Sequence, residues 1–214
     1  MILGGKQLIG DHKKELTVAD VKQVHRSLVD AVKTGRISME RLDEAVQKVI
    51  ELKKRIVIKP MSINWSEHEA LAQKIARKAV RVVKNNISNF SEKKVAVIGP
   101  ALMKDVVQKT SLAKAGKETE MVFFEGLNPS DPQTILEKTA SSDVLVVCSY
   151  NSWKNPLQQA MIESLIKTGK PVILFVVRDP LDETLFPEAS AIITTYSPTV
   201  PSMQAGWDQS FSSF

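Results

Sequence analysis

Val144-Leu145-Val146-Val147-Cys148 and Val172-Ile173-Leu174-Phe175-Val176-Val177 are two unbroken apolar runs of strand length, both inside the stretch from Asp143 to Pro180. Continuous rather than alternating apolar runs mark strands buried on both faces of a parallel sheet. A helix is expected between them: Asn155 suits the N-cap, Pro156 the first helical position, and Gly169 falls just past the last turn. Leu157, Ala160, Met161, Ser164 and Leu165 are its expected sheet-facing side. Strand, crossover helix and strand form a βαβ unit, right-handed in nearly all proteins. Ligands of such sheets sit outside the carboxyl ends of the strands. Those ends carry Ser149-Tyr150-Asn151 and Arg178-Asp179.

Working outward, the pattern of alternating strands and helices continues on both sides. Val95-Ala96-Val97-Ile98, closed by Gly99-Pro100, reads as a strand; a helix over about Leu102 to Lys109 follows, then a strand from Glu120 to Phe124. Asp131-Pro132 opens a helix with a cap and a first-position proline. Beyond the central unit, a helical turn near Leu181 to Phe186 leads to a fifth strand at Ala191-Ile192-Ile193-Thr194-Thr195. Five strands with intervening helices predict a three-layer α/β/α sandwich with a mainly parallel sheet. The end from Ser197 to Phe214, rich in Ser and Pro, reads as loosely packed.

The amino-terminal part is helical. Thr17 to Thr34 is a helix capped by Thr17 with Asp20, ended by Gly35, and lined by Val21, Val24, Leu28 and Val32. Ser38 caps a second helix with Leu42, Ala45, Val46, Val49 and Ile50 on one face. The pair lacks the recognition face of a DNA-reading helix-turn-helix. Ile56 to Trp65, with Pro60, reads as a linker. A third helix starts at Asn64-Trp65-Ser66, with Ser66 and Glu69 as a capping box, and its apolar spacing runs through Val80 and Val83 to Asn85-Asn86. The expected division is a helical segment over 1–60, a sandwich domain over 61–205 and a tail over 206–214.

Composition narrows the function classes. At 214 residues, 43% hydrophobic and 25% charged, the chain can build one sizeable core with a helical appendage. No stretch approaches the roughly 20 apolar residues of a membrane span, and Met1-Ile2-Leu3-Gly4-Gly5-Lys6 has no signal-peptide pattern. The net charge of +5 comes from lysines scattered among acids, without the basic, aromatic-laced stripe of a nucleic-acid binder. Gly5 and Gly10 have the spacing of a phosphate loop, but Asp11-His12 stands where Lys-Ser/Thr is required. His12, His25 and His68 lack zinc-site spacing. No cofactor or metal is expected. The single cysteine, Cys148, excludes an internal disulfide and reads as a buried thiol, with no histidine placed as its base.

Several strings resemble family 3 glycoside hydrolases. Val32-Lys33-Thr34-Gly35-Arg36-Ile37-Ser38, Arg41-Leu42-Asp43-Glu44-Ala45-Val46 and Ile50-Glu51-Leu52-Lys53 resemble the segment between that family's catalytic barrel and its second domain. His68-Glu69-Ala70-Leu71-Ala72 and Ala76 to Asn85 resemble the helix opening the second domain, and Lys94 to Pro100 its first strand. Cys148-Ser149-Tyr150-Asn151 and Tyr196 to Ala205 are most similar to the two-domain β-N-acetylglucosaminidase branch of Bacillus-type bacteria. The resemblance runs from Met1 to about Ala205. Ala205 to Phe214 depart from the family's usual apolar C-terminal helix.

The resemblance implies a parent enzyme releasing terminal N-acetylglucosamine from muropeptides or chitooligosaccharides, secreted or cell-envelope associated in a Gram-positive bacterium. It also implies that this chain lacks the chemistry. Retaining hydrolysis needs a nucleophilic carboxylate and an acid/base about 5 Å apart. In the family both lie on the barrel, and the barrel's KHFPGHG-type and Ser-Asp strings are absent here. The expected role is therefore non-catalytic: packing on the barrel and shaping the outer part of its sugar site. Asn151, Arg178 and Asp179 are the candidate sugar contacts, an amide, a guanidinium and a carboxylate at strand ends. Local ion pairing of Arg178 and Asp179, with Asn151 capping a turn, is the structural alternative. A stand-alone saccharide- or protein-binding module is the functional one.

Overall fold

The computed structural model describes residues 18–56, 64–87 and 89–211, and the chain divides into two compact units at Ile63/Asn64. The expected Thr17 cap, the strand end at Met1-Ile2-Leu3, the glycine pair at Gly5 and Gly10, and most of the linker around Pro60 lie outside the described residues.

The first unit contains α1 (Val18–Lys33) and α2 (Met39–Arg55). Gly35 takes a left-handed φ of 72° after α1, a conformation that costs glycine little. The Ser38 hydroxyl caps α2, accepting from the Arg41 N–H at 3.1 Å. Amphipathic stripes are present as read, yet little of them is covered: Ala31 is the buried residue of α1, and α2 has none.

The second unit holds α3 (Trp65–Ala79), α4 (Lys104–Gln108), α5 (Pro132–Lys138), α6 (Pro156–Lys167) and α7 (Val200–Phe211) around a sheet. Its strands are β1 (Arg81–Asn85), β2 (Lys94–Pro100), β3 (Glu118–Phe124), β4 (Val144–Ser149), β5 (Val172–Val176) and β6 (Ala191–Thr194), in the order β1-β6-β5-β4-β2-β3. All pairings are parallel except β1 with β6. Counted from β2, the parallel strands read 2-1-3-4-5, the flavodoxin-like doubly wound order. Alternate residues of each strand face opposite layers. Val95, Val97, Val146, Phe175 and Ile193 join Met103, Val107 and Met203 on one side; Ala96, Ile98, Val147, Leu174 and Ile192 join Ile135, Met161 and Leu165 on the other. The three-layer α/β/α reading holds, with six strands instead of five.

The sixth strand is β1. The apolar spacing from Leu71 to Val83 predicts one continuous helix, but α3 stops at Ala79, where the Val80 N–H donates to the Ala76 carbonyl. The β-branched Val82 and Val83 then extend along the edge of β6, pairing Arg81 with Thr194 and Asn85 with Ala191 through a bulge between Val82 and Lys84. Pairing with a free sheet edge outweighs a weak helical period. The cap of α3 is Asn64, accepting from the Glu67 N–H, and not Ser66.

The expectation of a loosely packed end also gives way. Residues 200–211 are helical, and Met203, Ala205, Gly206 and Phe211 are buried against the sheet. Phe90, Trp207 and Phe211 close this side with ring centroids 5.1–6.0 Å apart. Helix α6 buries Met161 and Leu165 as read, but its inward face is rotated to take in Gln158 and Ile162, whereas Leu157 and Ala160 are exposed. Asn155 precedes α6 as expected, but its side chain makes no cap bond.

Candidate functional site at the carboxyl ends of β4 and β5

Strand β4 delivers its last residue, Ser149, into a buried position, and the chain must then turn toward α6. Asn151 makes the turn in the left-handed region (φ 54°, ψ 47°), tolerated better by asparagine than by most residues. A 3₁₀ turn over Ser152–Lys154 follows. Its first backbone N–H groups would be orphaned, as at any helix start. Asp182 satisfies them. One carboxylate oxygen accepts from the Ser152 N–H at 2.8 Å and the Ser149 hydroxyl at 2.5 Å; the other accepts from the Trp153 N–H at 2.9 Å. Asp182 is fully buried, and three donors are what a buried carboxylate requires.

Gln158, also fully buried, continues the network from α6. Its carbonyl accepts from the Tyr150 N–H at 2.7 Å and the Ser152 hydroxyl at 3.0 Å, while its amide donates to the Leu127 carbonyl at 2.5 Å. The Asn155 amide donates to the Asn151 carbonyl at 2.7 Å. The turn after β4 is thus held by side chains from two segments, Asp182 about 30 residues on and Asn155 with Gln158 at the start of α6.

The three sequence-predicted contact residues come to this one edge, with different duties. Asn151 is buried, and its side-chain oxygen accepts from the Asp179 N–H at 3.2 Å, tying the β4 and β5 ends together. Arg178 is half-buried; its guanidinium donates to the Tyr150 hydroxyl at 2.7 Å and stands 5.6 Å from that ring's centroid. The Asp179 carboxylate accepts from the Trp153 indole N–H at 3.2 Å. Neither charge sits in a local ion pair among the described residues. Trp153 is 44% exposed, with the Lys154 ammonium 5.2 Å from its ring centroid.

Sequence reading placed Tyr150 at this edge without giving it a role, and missed Asp182, Gln158 and Trp153. For Gln158 a signal existed: residues 158, 161, 162 and 165 follow the i, i+3, i+4, i+7 spacing of a buried face, with a polar residue at its head. For Asp182 no local pattern distinguishes it from an exposed acid in a turn.

Chemically, the rim offers a guanidinium, a carboxylate and two aromatic rings, suited to hydrogen bonding and stacking. The Ser149–Asp182 pair is sealed from solvent and reaches no reactant. Cys148 is an inert thiol: burial pushes its pKa up to about 12. His25 and His68 are exposed and distant in sequence from the rim, His68 standing edge-on to Trp65. Among the described residues no group of three or more His, Cys, Asp or Glu is placed to hold a metal, and no helix is long and apolar enough to cross a membrane. Two depressions of about 360 and 370 Å³ lie elsewhere, one lined by Phe90, Lys93, Asp143 and Ser190 near the amino ends of the strands, one between α3 and α7.

No family model matches the chain, and no curated protein matches it significantly. Solved structures do. A glycoside hydrolase family 3 β-N-acetylglucosaminidase from Paenibacillus sp. is 22% identical, with a TM-score of 0.59 over 90% of this chain and 41% of that one. A fungal multi-domain β-N-acetylglucosaminidase of the same family is 20% identical, with a TM-score of 0.64 over 92% of this chain and 25% of that one. A β-glucosidase from Listeria innocua, solved with isofagomine, is 17% identical, with a TM-score of 0.57 over 87% and 33%. Identities this low establish the fold alone, and the chain spans less than half the length of each of these enzymes.

Proposed function

We propose that this chain is the non-catalytic C-terminal α/β domain, with its connecting helices, of a β-N-acetylglucosaminidase-like family 3 glycosidase. The segment 1–60 would link to the catalytic barrel, and the sandwich beginning at 61 would run past 205 to include α7. The parent would release terminal N-acetylglucosamine from cell-wall muropeptides or chitooligosaccharides, in the manner of the Bacillus-type two-domain branch. The observation that carries the reading is the uncovered stripe on α1 and α2. Val21, Val24, Leu28, Leu42, Val46 and Ile50 are 38–59% exposed. Full burial of one such side chain contributes roughly 1.5–3 kcal/mol, so a partner surface covering all six gains substantially. The structural neighbours, in which this fold is a minor part of a longer chain, supply the candidate for that partner. Asn151, Arg178 and Asp179 would border the sugar site, Asn151 through the backbone it fixes.

A stand-alone saccharide- or protein-binding module is the second reading. The same exposed stripe weighs against it, because a monomer rarely leaves so much contiguous apolar surface in water.

The test is hydrolysis of a chromogenic N-acetylglucosaminide by this chain, alone and mixed with a separately expressed barrel of the same family. Expected are no turnover alone, a stable complex on mixing, and activity of the barrel that rises with this chain. Turnover by the chain alone, or no association with the barrel, overturns the proposal.

A further inference from the structure

The exposed rim and the buried network beneath it meet at one group. Asp182 is fully buried and spends both carboxylate oxygens on the turn after β4: two backbone N–H groups, of Ser152 and Trp153, and the Ser149 hydroxyl. The effect of these bonds is felt across the sheet edge, where the turn they hold places the Trp153 indole N–H 3.2 Å from the Asp179 carboxylate, one side chain in the middle of the turn and the other just beyond β5. A 3₁₀ turn of three residues has almost no intrinsic stability. Without an acceptor for its leading N–H groups, this one would open to water.

We infer that Asp182 is a positioning residue whose buried carboxylate holds the 152–154 turn, so that Trp153 and Asp179 stand together at the rim as a preformed contact surface. The functional half rests on the reading of the rim as a sugar-site border; the structural half does not. A preformed aromatic and carboxylate pair lowers the ordering cost of binding, which is what a contact surface on a turn requires. Trp153, absent from the residues picked out by sequence, is thereby the exposed ring a saccharide would meet.

The test uses the full chain labelled with ¹⁵N. The indole signals of Trp65, Trp153 and Trp207 are assigned by single Trp→Phe variants. Asp182→Asn, which keeps the shape but removes the charge and one acceptor oxygen, is expected to shift or broaden the Trp153 indole signal. Trp207, packed edge-on to Phe90 and tilted against Phe211, is expected to stay in place. Amide exchange of Ser152 and Trp153 should accelerate by about tenfold or more, as for loss of a charge-assisted hydrogen bond. An unmoved Trp153 signal overturns the inference. Displacement of Trp207 along with Trp153 reports a general loss of fold and is decided in the same way as a variant that does not fold. Should Asp182→Asn not fold, exchange in the unaltered protein decides: Ser152 and Trp153 amides protected like strand amides support it, and unprotected ones overturn it. Titration of the unaltered protein with an N-acetylglucosamine oligomer tests the other half. An unresponsive Trp153 removes the sugar reading of the rim and leaves the positioning role standing.

Discussion

Helices α1 and α2 and the sandwich that follows them obey the same sequence rule and meet opposite fates. In both, apolar residues mark the surface to be buried: at the helical period in α1 and α2, as unbroken runs in β2, β4 and β5. In the sandwich, every strand residue from Val95 to Pro100 and from Val144 to Ser149 is buried, because helices cover both faces of the sheet. In the first unit the stripe of α1 keeps Leu28 43% exposed, and that of α2 keeps Val46 48% exposed. Periodicity states which face an element would bury. It does not state that the cover is present. The sandwich carries its own cover; in α1 and α2 the apolar stripe stays exposed.

The difference is broken or sharpened most directly by truncating one side chain in each unit. Phe175 lies at the centre of the sheet, fully buried under α7. Phe175→Ala is expected to destabilise the chain by about 3–5 kcal/mol, the transfer and cavity terms together. Leu28→Ala is expected to change unfolding by less than about 0.5 kcal/mol, as for an ordinary surface position. It should instead weaken association with a barrel partner. Urea unfolding of both variants checks the first pair of values, and equal losses would erase the distinction between the units.

The same contrast explains what sequence could tell. Unbroken apolar runs located β2, β4, β5 and β6, because burial on both faces leaves no alternation to misread. β1 was invisible: Val80, Val82 and Val83 fit a helical continuation equally well, and only the free edge of β6, far along the chain, decides for a strand. α7 was masked by its Ser and Pro content, yet small residues are what allow it to lie close to the sheet. At the site, strand ends were legible and Asn151, Arg178 and Asp179 do come together. Asp182 was not, since its burial depends on a turn more than 25 residues earlier in the chain.

Gly206 sharpens the point about α7. A β-carbon there would meet Thr195 Cγ2 at 3.0 Å, Ile193 Cγ2 at 3.1 Å and Phe175 Cε1 at 3.1 Å, three core atoms with little room to retreat. Gly206→Ala gains about 1 kcal/mol of helix propensity and loses about 1–3 kcal/mol to overpacking. The expected net is a loss of roughly 1 kcal/mol, read as a lower denaturant midpoint. A raised midpoint would mean that α7 shifts outward freely and that the sheet layer beneath it is less tight than the buried Met203 and Phe211 indicate.

The smallest effect separates the helix caps of the two units. Ser38 caps α2 with a neutral hydroxyl, so that cap is indifferent to pH. Asp131 caps α5 with a carboxylate that accepts from the Thr134 hydroxyl at 2.6 Å and the Gln133 N–H at 3.0 Å, and these bonds, the hydroxyl first, hold its pKa below the ordinary value. A depressed carboxylate pKa contributes stability that is complete above the unfolded-state value and is lost as pH falls through the folded one. Asp131 is fully exposed, which keeps the contribution small, but it is placed to be felt: Ile135, on the first turn of α5, is buried in the sheet-facing core. Acid should therefore loosen α5 before it touches the Ser38 cap of α2. Thr134→Val is expected to return the Asp131 titration toward the ordinary carboxylate range in an NMR pH series, while Ser38→Ala leaves the acid limb of the unfolding curve unchanged. An unmoved Asp131 titration would show that the backbone N–H, and not the hydroxyl, sets the shift.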